Sequence, residues 1–229
     1  MTKVKQTSKF TYNFKELTLE LPQADPDGDN EIEYSAQLEN GIIVLGYKLR
    51  DPDAENPLEY CDAMGSIYSF SRRHGKFLHP EQIDSEIDED KKPYIVPLSY
   101  FEHGQCIWGV AGTLTNTPDF RWDGVGYAGI WVPDKCCLTH IQGSDPSEDK
   151  RKLEAIECAK QACEEYTSWC NGECYGIIIA WYDAEGDLLN TDACWGYIGW
   201  KYADTQLKED FESKVSCLRE EMTVSEFII

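Results

Sequence analysis

The segment bracketed by Asp145-Pro146-Ser147-Glu148 and Asn171-Gly172 constrains the fold of this chain more than any other. Asp145 can cap a helix, Pro146 suits its first turn, and Glu148 sits where a capping-box partner belongs. Leu153, Ile156, Ala159, Cys163, Tyr166 and Cys170 then recur at helical spacing and give one apolar face. Asn171-Gly172 is expected to close the helix with a left-handed cap. Such a helix needs a surface on which to bury its stripe, and the preceding sequence supplies strands.

Phe10, Tyr12 and Phe14, then Leu17, Leu19 and Leu21, alternate with polar residues as a strand pair or one bulged strand. Ile32, Tyr34, Ala36 and Leu38 alternate against Glu31, Glu33, Ser35, Gln37 and Glu39. Asn40-Gly41 and the run Ile42 to Leu45 follow, which predicts a hairpin with a type I′ turn. Further strands are expected near Gly65–Ser71, Tyr94–Tyr100, Cys106–Gly112 and Gly129–Val132. Beyond the helix, Tyr175–Tyr182 and Leu188–Tyr197 form a hairpin around a turn at Asp183–Asp187. A last helix starts near Asp204, with Leu207, Phe211, Val215, Leu218 and Met222 on one side.

This order predicts an α+β fold, a largely antiparallel sheet with two helices of the C-terminal half packed on it. We expect one domain over residues 1–229, with a sub-boundary near Gly143 as the alternative and residues 83–92 as a flexible acidic segment. At 229 residues and 41% hydrophobic content, with seven Trp, thirteen Tyr and eight Phe, the chain can bury a core.

The formal charge is −21, from 42 acidic against 21 basic residues. Residues 1–22 sum to +2, 23–90 to −12, 91–144 to zero and 145–229 to −11. The neutral stretch carries eight aromatics from Tyr94 to Trp131 and reads as core-rich. A field of this sign repels nucleic acid and anionic lipid and attracts basic protein surfaces. High charge that serves only solubility is the plainer reading. The first ten residues lack an apolar signal region, and no apolar run approaches the length that spans a bilayer. Ten cysteines without an export signal are therefore expected as reduced thiols in a cytoplasmic protein.

Five acids fall within seven residues: Asp84, Glu86, Asp88, Glu89 and Asp90. Held on a rigid face, spaced carboxylates can imitate DNA phosphates and engage a cationic groove; the alternative is a solvated loop. Glu154, Glu157, Glu164 and Glu165 form a second acidic group, interrupted at its start by Lys150-Arg151-Lys152.

Asp25, Asp27 and Asp29, with Ile32 in the usual hydrophobic place, match the opening of a calcium loop. Ala36, however, stands where the bidentate Glu belongs, so a solvated acidic turn is the first reading. Cys158, Cys163, Cys170 and Cys174 lack the paired CxxC spacing of structural zinc sites and read as small buried hydrophobes. His103 precedes Cys106 by three residues, but no orienting group or oxyanion site is visible. The remaining histidines, His74, His79 and His140, read as ordinary surface or core residues. No GxSxG, HExxH or phosphate loop occurs. No enzyme and no cofactor is expected.

Asn171-Gly172-Glu173-Cys174-Tyr175-Gly176 is followed by Asp192-Ala193-Cys194-Trp195-Gly196-Tyr197-Ile198-Gly199. Before these come Asp62-Ala63-Met64-Gly65-Ser66-Ile67, Arg72-Arg73-His74, Tyr100-Phe101-Glu102-His103-Gly104, and Trp122-Asp123-Gly124 running to Gly129-Ile130-Trp131-Val132. Over residues 60–200 this order resembles a family of acidic, largely uncharacterised proteins of bacteriophages and other mobile elements. Ala63 and Ala193 depart from the family pattern. The family brings no catalytic residues. It implies an anti-defence role of the anti-CRISPR or antirestriction kind: binding and inhibition of a host nucleic-acid-binding protein through its basic surface, without direct nucleic-acid or membrane binding. A protein-binding or structural module whose acidity serves solubility is the alternative, and a calcium-dependent regulator the second. Trp195 is expected to anchor the core, and the Trp122 ring to pack inward.

Overall fold

The computed structural model describes residues 8–12, 15–19, 21–23 and 32–226. In chain order its elements are β1 (Ser8–Tyr12), β2 (Lys15–Leu19), β3 (Ile32–Gln37), β4 (Ile43–Arg50), α1 (Pro57–Tyr60), β5 (Ser66–Ser69), β6 (Lys76–Phe77) and α2 (Ile83–Glu86). There follow β7 (Val96–His103), β8 (Gln105–Val110), α3 (Phe120–Asp123), β9 (Gly124–Val132), α4 (Lys135–Ser144) and α5 (Glu148–Cys170). The chain ends with β10 (Cys174–Tyr182), β11 (Leu188–Ile198) and α6 (Trp200–Glu226). The fold is α+β. Two compact units result: residues 55–172, and a second unit that joins residues 1–54 to 173–229. Position 143, the expected sub-boundary, lies inside α4.

In the discontinuous unit a four-stranded antiparallel sheet runs β11-β10-β4-β3. Its centre pairs β10 with β4, with Tyr175 opposite Arg50 and Tyr182 opposite Ile43. β4 is buried on both faces because each face has its own cover. Ile43, Leu45, Tyr47 and Leu49 meet Leu17, Leu19 and Leu21 of the β1–β2 hairpin and its exit. Val44 turns to the opposite face, where Ala203, Leu207, Phe211 and Val215 of α6 close the core with Ile177 and Ile179. Each such aliphatic side chain contributes about 1.5–3 kcal/mol on burial. Gly46 lets Phe211 approach, since a Cβ there would lie 3.0 Å from its ring. Lys48 bridges Glu33 at 3.1 Å and Asp204 at 3.2 Å, tying β4 to β3 and α6.

The β3–β4 connection departs from a two-residue type I′ turn. Gly41 alone takes positive φ, at +90°. The loop closes through Leu38 N–H to Ile42 O and Gly41 N–H to Leu38 O, and the Asn40 side chain accepts from Ile42 N–H. Phe14, part of the expected first strand, lies outside the described residues.

The continuous unit holds a five-stranded sheet ordered β6-β5-β9-β7-β8, antiparallel except where β5 meets β6. Trp131 is fully buried at its centre and donates its ring N–H to Met64 O at 2.8 Å. α5 packs on β8 and β7, and α4 packs on α5. The buried face of α5 is Ala155, Ala159, Ala162, Cys163 and Tyr166, rotated from the predicted stripe, so that Leu153 stands exposed. The helix begins after Ser147, whose side chain makes no capping bond; Asp145 instead accepts from Ser147 N–H in a turn before it. Its end agrees with expectation, with Gly172 at φ +69° and donating to Trp169 O.

Candidate functional site

The acidic segment 84–90 is not an unstructured loop. α2 and a following turn carry it, and Ile87, 7% exposed, fixes it into a cluster with Leu78, Ile130 and Val132. The five carboxylates therefore stand on a built surface. Part of their charge is met locally: Lys91 pairs with Asp88 at 2.7 Å, and Lys92 pairs with Glu89 at 2.6 Å and lies 3.9 Å from Asp84. The chain then passes through the turn Lys92–Tyr94 into the wall of an apolar groove of about 360 Å³. That groove is floored by Val96 and Val110 and closed on the α5 side by Ala155 and Ile156.

On α5 the other four candidates fall within roughly 100° of one stripe, over about 15 Å of helix. They differ in state. Glu154 meets His140 Nε2 at 2.8 Å, Glu157 pairs with Lys160 at 2.6 Å, and Glu164 is exposed. Burial holds the half-buried Glu165 carboxyl above its ordinary range. Of the four, Glu164 is the exposed carboxylate with no ion pair among the described residues. Asp25, Asp27 and Asp29 lie outside the described residues.

Three of the motif segments, distant along the chain, meet at one place. Two adjoining cavities in the 55–172 unit, of about 380 and 440 Å³, share Arg73, His74, Tyr100 and Glu102. Tyr100 Oη donates to Glu102 at 3.0 Å, and the His74 ring lies 4.3 Å from that of Tyr100. Burial holds His74 below the usual imidazole range; Glu102 pulls it up, and the weaker Arg73 charge pushes it down. At the outer lip, His103 Nδ1 and Asp123 Oδ2 are 2.8 Å apart, and this contact raises His103. Trp122 and Tyr127 line the same lip. Trp122 is 77% exposed with Arg121 over its ring at 5.2 Å, so it does not pack inward as expected.

His103 and Cys106 each have another partner: His103 engages Asp123, while a hydrogen bond with Cys170 lowers the Cys106 thiol from its ordinary value. The inner cavity wall is rigid for a clear reason. β8 is an edge strand, and the Asn171 side chain takes the place of a neighbouring strand: it accepts from Cys106 N–H at 2.9 Å and donates to Cys106 O at 2.8 Å. Thr167 Oγ1 accepts from Trp108 N–H in the same way. Such capping removes the edge as a pairing hazard.

The Cys194-Trp195-Gly196 segment lies in the other unit, on the edge strand β11. Trp195 is 42% exposed, its ring laid across Gly176, where a Cβ would fall 2.4 Å from it. It covers a strand from outside and does not anchor the core. Among the described residues, one group of metal-type donors occurs: His140, Glu154 and Cys158. No helix there is long and apolar enough to cross a membrane. Compared with known proteins, the chain matches no family model, no curated protein and no solved structure.

Proposed function

We propose that this protein acts by binding a basic surface on a nucleic-acid-binding protein of a host defence system, and that it inhibits that protein by occupying the place of nucleic acid. The observation that carries this reading is the anchoring of the 84–90 segment by Ile87, which holds the backbone that carries these carboxylates. An anchored backbone loses less conformational freedom on binding than a floppy acidic loop would. The neighbouring apolar groove supplies the dry centre that a charged rim alone lacks. The surplus of 21 negative charges adds long-range steering.

The test is capture of proteins from a bacterial lysate at low and high salt, with and without competing DNA. The wild-type chain is compared with a variant in which Asp84, Glu86, Asp88, Glu89 and Asp90 become Ser or Asn. Five rim pairs at roughly 0.3–0.5 kcal/mol each come to about 2 kcal/mol, near a thirty-fold loss of affinity. Capture should release on adding either salt or DNA. A target held equally by both variants, at high salt and against DNA, overturns mimicry and leaves a binding module whose charge serves solubility.

A further inference from the structure

We propose that His140, Glu154 and Cys158 form a binding site for a zinc-class divalent ion. Their donor atoms lie within 4.8 Å of one another. Glu154 and Cys158 are one turn apart on α5 and project from the same side. His140 faces them from α4, with its Nε2 already 2.8 Å from Glu154 Oε1. Both helices are fixed at this point, α4 by the buried Cys137, Leu138 and Ile141, and α5 by Ala155 and Ala159.

The donor set selects the class of ion. One imidazole nitrogen, one carboxylate oxygen and one thiol sulfur suit zinc and its borderline neighbours, whereas calcium and magnesium take oxygen. Bound as carboxylate, thiolate and neutral imidazole, the three ligands carry two negative charges and neutralise the ion; the thiol proton leaves to solvent. Bonds of about 2.0–2.3 Å set tetrahedral N and O donors roughly 3.3 Å apart, so the His140–Glu154 contact must open slightly while the Cys158 sulfur draws in. The exposed imidazole can supply that movement by rotating, while the two α5 ligands stay in register. Three protein ligands leave the fourth tetrahedral position open to water or to a group from a partner. The site is independent of the mimicry reading, and it removes Glu154 from the acidic stripe.

A surface His–Glu ion pair beside an unrelated cysteine is the competing account, and sulfur ligation separates the two. The full chain, stripped with chelator, is titrated with zinc against a chromophoric competitor and separately loaded with cobalt. One equivalent of zinc is expected, along with a near-ultraviolet sulfur-to-cobalt charge-transfer band. Cys158→Ser should abolish the band, and Cys158→Ser and His140→Gln should each weaken zinc at least ten-fold. Cys217→Ser, on α6, should change neither. Circular dichroism confirms that each variant is folded. Failure to retain one equivalent overturns the proposal. So does a cobalt band that survives Cys158→Ser, or binding that His140→Gln leaves unchanged.

Discussion

The two units solve the problem of covering a sheet in different ways, and the difference decides where a site can form. In the discontinuous unit β4 and β10 are sealed on both faces, by the β1–β2 hairpin and by α6. The 55–172 unit covers its sheet with a helix built from small residues, Ala155, Ala159 and Ala162, which lets α5 lie close to β8. Large aromatic and charged groups are thereby left along the rest of the sheet, where Arg73, His74, Tyr100 and Glu102 line a shared cavity wall.

The sharpest way to break this comparison is to damage one core and watch the other. Trp131→Ala removes a fully buried indole together with its bond to Met64 O, and should cost about 3–5 kcal/mol. Ile178→Ala does the equivalent in the other unit, at about 2–5 kcal/mol. Hydrogen exchange followed by mass spectrometry should show Trp131→Ala exposing amides across 55–172 while β10 and β4 stay protected, with the converse for Ile178→Ala. Equal loss of protection in both units from either change means they fold as one, and the contrast drawn above is then only geometric.

A smaller effect sharpens it. Gly129 and Gly176 are both strand glycines against which another group rests, but the group differs. A Cβ at Gly129 would sit 2.2 Å from Tyr68 O, a backbone atom fixed by the β5–β9 ladder. At Gly176 it would meet the half-exposed Trp195 ring, which can swing outward. Gly129→Ala should therefore reach the upper part of the roughly 1–3 kcal/mol range for overpacking, and Gly176→Ala the lower. The latter should also shift tryptophan emission toward the red. Thermal melts of equal depression in the two variants contradict the distinction between an immovable and a movable neighbour.

Local patterning carried the sequence reading as far as a local signal can. The Cys174–Ile198 hairpin, the Asn171-Gly172 stop of α5 and the buried face of α6 follow from turn chemistry and periodicity alone. The β4–β10 pairing does not, because Tyr175 and Arg50 are joined only by the fold. For the same reason Arg73-His74, Tyr100-Glu102 and Trp122-Asp123 gave no sign of meeting at one cleft, nor His140 of facing Glu154 and Cys158. Trp122, Trp195 and Leu153 were misplaced by a different route. Hydrophobicity ranks them as core, but on an edge strand or a helix the covered face is set by the neighbouring element. On α5 that face is chosen by alanines, which carry little weight in a search for large apolar residues. The only visible hint was the spacing of Ala155, Ala159 and Ala162.

The subtlest contrast lies between His74 in the cleft and His103 at its outer lip, which are shifted in opposite directions. Burial lowers His74 below 6.5, while the hydrogen bond to Asp123 raises His103 above it. For His103 the folded state binds the proton more tightly. Its stabilising share is complete below the unfolded value near 6.5 and is lost as pH rises through the higher folded value. For His74 the sign reverses: the folded state resists protonation, so stability falls as pH drops from the unfolded value toward the lower folded one. The two slopes have opposite signs in adjoining windows, so their joint contribution to stability peaks near the unfolded value of about 6.5. Imidazole chemical shifts followed against pH resolve them singly. Asp123→Asn should return His103 toward 6.5 with His74 unmoved, and Glu102→Gln should lower His74 further by removing its one upward influence. Two histidines that titrate together, or a His103 indifferent to Asp123→Asn, would mean that the cleft imposes no electrostatic order on its lip and that its polar groups are merely solvated neighbours.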